Sequence, residues 1–194
     1  MNTPILSGNE FFTFRCEPEC FTIKDFWAWD SSNLLSNTLR GALAEFIVAK
    51  ALSIPLLTSR NDWTDYDLMY NNCCRIEVKS AAYLQAWEQH KFSEIRFSVA
   101  PARSWTSEQR YDDNLTRHSD IYVFSLYGCK DRRIANPLCL DHWTFYVLNT
   151  ETINRELHEQ KSISLKSLLE LQPSEASYIE LKKSVDSLWP ITRK

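Results

Sequence analysis

Apolar and polar positions follow two different periods along the chain. In "SSNLLSNTLRGALAEFIVAKAL" a rotation of about 100° per residue places Leu34, Leu35, Thr38, Leu39, Gly41, Ala42, Phe46, Val48, Ala49 and Leu52 on one broad arc. This pattern predicts a helix over 33–52 with Ser31, Ser32 or Asn33 as its cap. Beyond the loop "SIPLLTSRNDWT" the period drops to two, as in strands. "DYDLMYNNCCRIEVKS" (65–80) reads as a hairpin, and "SEIRFSVA" (93–100) as a third strand. "SDIYVFSLY" (119–127) is apolar enough for a buried fourth strand, and "HWTFYVLN" (142–149) makes a fifth. "TETINREL" and "LKSLLEL" predict short helices, and 174–188 a closing one. The first thirty residues read as an irregular entry with a strand at "FFTF". The fold class is thus α/β (α+β), a central mixed sheet flanked by helices.

Composition narrows the function classes. Hydrophobic residues are 44% and charged residues 24%, values of a folded chain rather than a disordered one. No apolar run approaches bilayer length, and the first twenty residues lack the layout of a secretory signal, so a cytoplasmic protein without membrane contact is expected. The absence of repeats and of a Gly/Ser linker predicts one domain over 1–194, with an entry segment 1–30, a core 31–127 and a C-terminal strand and helices 128–194. Six cysteines in no zinc-ribbon spacing read as free thiols, with Cys16 and Cys20 as the alternative metal pair. A net charge of −3 means that any nucleic-acid contact has to use a local patch.

The hairpin carries the chemistry. Alternation puts Arg75, Glu77 and Lys79 on the face opposite Ile76 and Val78, and Asp65 and Asp67 on the face opposite Tyr66 and Leu68. A two-residue turn at Asn71-Asn72 mismatches the acids. A three-residue turn, Asn71-Asn72-Cys73, pairs Tyr70 with Cys74 and brings Asp67 opposite Glu77, while keeping both apolar faces together. Opposed β-carbons lie about 4.5–5.5 Å apart, where two carboxylates repel or share a proton. A hard divalent cation relieves that repulsion, and Lys79 would face the anion such a cation holds. A surface strand with mixed charges on its solvent face produces the same string.

Glu45 adds a second signal, because it falls inside the apolar arc of the 33–52 helix. Gly41 and Ala49, one turn away on either side, leave room for its carboxylate and for close approach of the sheet. A buried charge there requires a cation, a hydrogen-bond network or a proton. An Arg at the core edge, or Lys79 itself, is the ordinary partner.

Glu45 in "RGALAEFIVAKAL", Asp67 in "DYDL" and Glu77-Val78-Lys79 in "IEVKS" together resemble the PD-(D/E)XK nuclease superfamily over 30–127. The resemblance implies a restriction-endonuclease-like core and a Mg²⁺- or Mn²⁺-dependent endonuclease, with DNA as the first expected substrate. It implies Asp67, Glu77 and the Val78 carbonyl as metal ligands, Lys79 on the attacking water, and Glu45 in an outer position or on a second metal. Gln85 and Ser80 stand where many members carry a further polar residue. Tyr66 replaces the motif's Pro, and Asp65 becomes the ligand if the register shifts by two. The rival readings are a non-catalytic nucleic-acid-binding or protein-interaction module on the same fold, and a structural protein whose acids form ordinary salt bridges. A homodimer or partner subunit is the expected source of additional binding surface.

Overall fold

The computed structural model describes residues 4–61, 63–103 and 115–189. Its first element is a hairpin, β1 (Phe11–Phe14) with β2 (Glu17–Thr22), turned by Arg15 and Cys16 at φ of 52° and 69°. Helix α1 (Ile23–Asp30) follows directly, its start fixed by Thr22, whose N–H and hydroxyl both donate to Asp25. The expected irregular entry is therefore structured. The turn escapes the sequence pattern because left-handed Arg and Cys replace the usual Gly or Asn. No residue of α1 is buried.

Helix α2 spans Asn37–Ala51 and is capped by Ser36, which accepts the Leu39 N–H at 3.3 Å. The expected start at 33 is corrected: residues 33–36 form a separate turn, with Ser36 N–H bonded to the Asn33 carbonyl. Two features of the expected arc also change. Phe46 is exposed, and a Cβ on Gly41 would meet nothing within 4 Å, so open space rather than close sheet contact surrounds that glycine.

The Asn pair then turns the chain as expected. Asn71 and Asn72 sit at φ of 51° and 58°, in the left-handed region that costs most residues about 1–2 kcal/mol and Asn less. The three-residue loop joins β3 (Leu68–Tyr70) to β4 (Cys74–Ala82), with Tyr70 opposite Cys74 and Leu68 opposite Ile76. Strand β5 (Arg96–Ser98) comes next, and then β6 (Ile121–Tyr127), which lies parallel to β4 with Glu77 opposite Tyr122 and Lys79 opposite Phe124.

β7 (Trp143–Asn149) runs antiparallel to β6 and leads into α3 (Thr150–Leu157), whose cap Asn149 accepts the Thr152 N–H at 2.8 Å. β8 (Ser162–Ser164) pairs with β5 in a separate two-stranded sheet and precedes α4 (Leu165–Glu170). The third expected strand therefore does not join the central sheet, because its hydrogen-bond partner lies far along the sequence. β9 (Ser174–Ala176) pairs with β7, and α5 (Leu181–Leu188) closes the fold. The single closing helix expected over 174–188 is thus a strand and a shorter helix. Between them Ser177 gives its N–H and hydroxyl to Glu180 in a turn.

The central sheet has the mixed order β3-β4-β6-β7-β9. One face buries Ile76, Val78, Val123 and Phe145 against Ile47 and Val48 of α2 and Val185 of α5. The other buries Tyr122, Phe124, Leu148 and Phe97 against Ile153 of α3 and Leu168 of α4. Every residue of β6 is buried, Ser125 included, as its mostly apolar run predicted. Tyr70, Lys182 and Asp186 hydrogen-bond one another, tying β3 to α5. No helix of the described residues is long and apolar enough to cross a membrane.

Candidate active site

Asp67 lies one residue before β3, at the edge of the sheet. Its N–H donates to the Ile76 carbonyl at 3.1 Å, and its carboxylate accepts the Val78 N–H at 2.7 Å. Asp67 therefore grips the peptide groups on both sides of Glu77, which fixes it beside the residue the turn argument paired with it. Burial first, and the neighbouring Glu77 charge second, push its carboxyl up to about 6, and Glu45 adds to the effect. The Val78 N–H and the Lys79 charge oppose the rise without cancelling it.

Glu77 and Lys79 project from β4 on the face opposite Ile76 and Val78, and they form an ion pair with each other. Ser119, just before β6, donates its hydroxyl to the second Glu77 oxygen at 3.0 Å. Glu45 is buried on α2, which packs on the other face of the sheet, and Arg60 holds it through two hydrogen bonds of 2.6 Å. That bidentate pair raises the Arg60 guanidinium above its ordinary value. Asp67 thus sits at the edge between an acid on either face. Glu45 and Glu77 each have a cation, whereas Asp67 accepts a backbone N–H and has no cation bonded to it among the described residues.

Gln85 is not with these acids. It is buried beyond the end of β4, where its amide oxygen faces Arg40 at 3.4 Å and its amide nitrogen donates to the Ala82 carbonyl and the Ser93 hydroxyl. Its neighbour Ser80 remains on β4, partly buried. Among the described residues no three His, Cys, Asp or Glu side chains converge as a metal-binding group. The Asp67 and Glu77 carboxylates, which the hairpin register sets opposite each other, are hard oxygen donors of the kind Mg²⁺ accepts alongside water. All six cysteines are free, with Cys16 and Cys20 exposed.

A family model of bacteriophage T4 endonuclease IV matches residues 23–167. The chain belongs to that family. No curated protein and no solved structure matches it. The endonuclease IV match spans Glu45, Asp67, Glu77, Lys79 and Gln85, and it also takes in two contributors that sequence reading passed over, Arg60 and Ser119. Arg60 lies in a loop without periodicity and Ser119 just ahead of β6, and only proximity in the fold reveals the partner of each. The nuclease family to which the chain belongs also gives context to a polar cleft of about 270 Å³ beside Ser119, lined in part by Arg75, Arg117, Asp120, Asn149 and Trp189. Arg75 and Asp120 form a bidentate pair there. Burial works to raise the Asp120 carboxyl, and Arg75 outweighs it and holds it low. Arg117, also lining that cleft, ties together the Val99, His158 and Gln160 carbonyls and the Asn154 amide. Of the tryptophans, Trp143 is buried while Trp27, Trp29, Trp63 and Trp87 are exposed, and Trp105 lies outside the described residues.

Proposed function

We propose that this member of the endonuclease IV family is a divalent-metal-dependent endonuclease acting on DNA in the cytoplasm, built on a PD-(D/E)XK-type core. The observation that carries this reading is Asp67. It is a largely desolvated carboxyl, fixed by two backbone hydrogen bonds next to Glu77 and raised to about 6 by burial and by that neighbour. Such a group lowers the stability of the empty protein and gains from a cation, a combination common at functional sites.

In this reading Asp67, Glu77 and the Val78 carbonyl hold Mg²⁺ or Mn²⁺. The ion supplies Lewis acidity toward a phosphoryl oxygen when bound. Lys79 is held on the Glu77 carboxylate, so its ammonium is in place to hydrogen-bond the attacking water and to offset charge that grows on the phosphoryl group in the transition state. Ser119 fixes the second Glu77 oxygen and thereby the rotamer of that carboxylate. Glu45, clamped by Arg60, acts through the field it places on Asp67, as an outer acid rather than a direct partner of Glu77. Gln85 serves the site from a distance, by fixing the strand end that follows Lys79. A single active site cuts one strand, so cleavage of both strands of a duplex would use a homodimer or a partner subunit.

The test is cleavage of plasmid and of labelled DNA and RNA oligonucleotides with Mg²⁺ or Mn²⁺. Cleavage abolished by EDTA and by Lys79→Ala is the expected result, with DNA cut in preference to RNA. A folded protein that cuts none of these substrates with either ion refutes the proposal.

The ion pairs of Glu77 with Lys79 and of Glu45 with Arg60 favour one second reading, a binding module whose acids are neutralised internally. Titration calorimetry separates the two: the module binds nucleic acid without taking up a divalent ion.

A further inference from the structure

β4 and β6 are parallel, so their C-terminal ends, Ala82 and Tyr127, open toward the same edge of the sheet. The loops that follow are bound to each other there. Arg132, from the loop after β6, donates to the Gln85 and Trp87 carbonyls of the loop after β4 at 3.0 and 2.9 Å. Lys130 lies 4.3 Å from the centre of the Tyr83 ring. Arg40 of α2, which shares Gln85 with Arg132, is only 4% exposed; its guanidinium meets the Leu35 carbonyl, the Asn37 side chain and Gln85, and its Nε has no partner.

These three cations share no carboxylate among the described residues. Their acceptors are carbonyls, side-chain amides and an aromatic face. The acids of the two loops are accounted for separately: Glu94 pairs with Arg96, Asp131 pairs with Arg133, and Glu88 and Asp141 are exposed to solvent, Asp141 at the far end of its loop two residues before β7. The charge is local, because residues 31–194 hold twenty Lys/Arg and twenty Asp/Glu, while residues 1–30 hold two and five and so carry the whole net −3. A buried guanidinium without a counter-charge focuses positive potential on the surface above it. Trp87, 56% exposed, stands beside that surface.

The patch is continuous with the candidate active site. β4 carries Glu77 and Lys79 and ends at the patch, and α2 carries Glu45 midway and Arg40 near its start. Resting on the nuclease reading for its ligand, we propose that Lys130 and Arg132, joined to the buried Arg40 through the Gln85 loop, anchor the phosphodiester backbone of the nucleic acid on one side of the scissile phosphate, with Trp87 packing on an adjacent sugar or base.

The experiment measures binding of a fluorescent DNA oligonucleotide in the Lys79→Ala background, across a salt series, so that cleavage does not enter. The Lys130→Gln/Arg132→Gln double variant is expected to weaken binding at least tenfold and to flatten the slope of log affinity against log salt by about 1.4–1.8, the loss of two phosphate contacts. Trp87→Ala is expected to weaken binding with little change of slope, and Arg133→Gln, whose charge is already paired with Asp131, to change neither. Because Arg132 also joins the two loops, Lys130→Gln alone provides the reading free of that role, with a slope change of about half. Unchanged affinity and slope in folded Lys130→Gln and double variants overturn the proposal. The outcome is independent of the nuclease reading: a protein that binds through the patch and never cuts refutes catalysis alone, and one that cuts with patch variants unimpaired refutes the patch alone.

Discussion

Replacing Asp67 with asparagine gives the sharpest check on the electrostatics of the site. The folded carboxyl stands at about 6 against an ordinary 3.8. Two pH units at about 1.4 kcal/mol each make the charged form about 3 kcal/mol worse in the folded state than in the unfolded one, an upper value before relaxation and screening. The sign follows from proton counting. Between about pH 4 and pH 6 the folded state keeps a proton that the unfolded state has released, so stability falls as pH rises through that window, and above it the full penalty is carried. The carboxamide of the variant keeps an oxygen for the Val78 N–H and has no charge to desolvate. Thermal unfolding in EDTA at pH 8 should therefore show Asp67→Asn more stable by about 1–3 kcal/mol, a Tm rise of about 3–10 °C in a chain of this size. At pH 4 the difference should nearly vanish. Added Mg²⁺ should raise the Tm of the wild type and leave the variant unmoved. A variant that is less stable at pH 8, or that keeps the wild-type fall between pH 4 and 6, refutes the argument that the Asp67 charge is held at a cost.

Other perturbations test separate joints of the site. Arg60→Gln leaves the buried Glu45 carboxylate without its guanidinium; since Arg60 itself is half exposed, chemical denaturation should show a loss of about 1–3 kcal/mol. Ser119→Ala removes one hydrogen bond to Glu77 and should cost about 1 kcal/mol of stability while lowering kcat more than it raises KM, read by steady-state cleavage of an oligonucleotide. Asn72→Gly should be neutral or stabilising and Asn72→Val destabilising by about 1–2 kcal/mol in equilibrium unfolding, since only the first accepts the left-handed turn that sets the register.

The residues that declared themselves in sequence are those whose role is local. The Asn pair requires left-handed backbone, and from that requirement the register of β3 and β4 follows by counting. β6 declares itself by a β-branched and aromatic run interrupted only by Ser125, and Glu45 by occupying a core position with a charge. What stayed hidden depends on contacts between distant segments. Arg60 is one more loop arginine until α2 presents Glu45 to it. Ser119 looks like a strand-entry residue until parallel pairing sets it beside Glu77. β5 reads as a sheet strand, and only the late arrival of β8 decides that it pairs elsewhere. Arg40 gives no sign of its burial in the sequence: the Leu35 carbonyl before the helix and Gln85 from the chain after β4 supply neutral acceptors in place of water.

The length of β4 acts as a ruler for substrate. From Glu77 to Ala82 the strand advances five residues, about 16 Å at about 3.3 Å each, before the chain reaches the loops that carry Lys130 and Arg132. A stacked nucleic-acid strand, which advances about 3.4 Å along its helix axis per nucleotide, covers that span in about five nucleotides. Fragments that extend less than this on the side facing Trp87 would reach the acids and miss the anchor, so the smallest well-bound substrate is written into the number of residues between a carboxylate and the end of a strand.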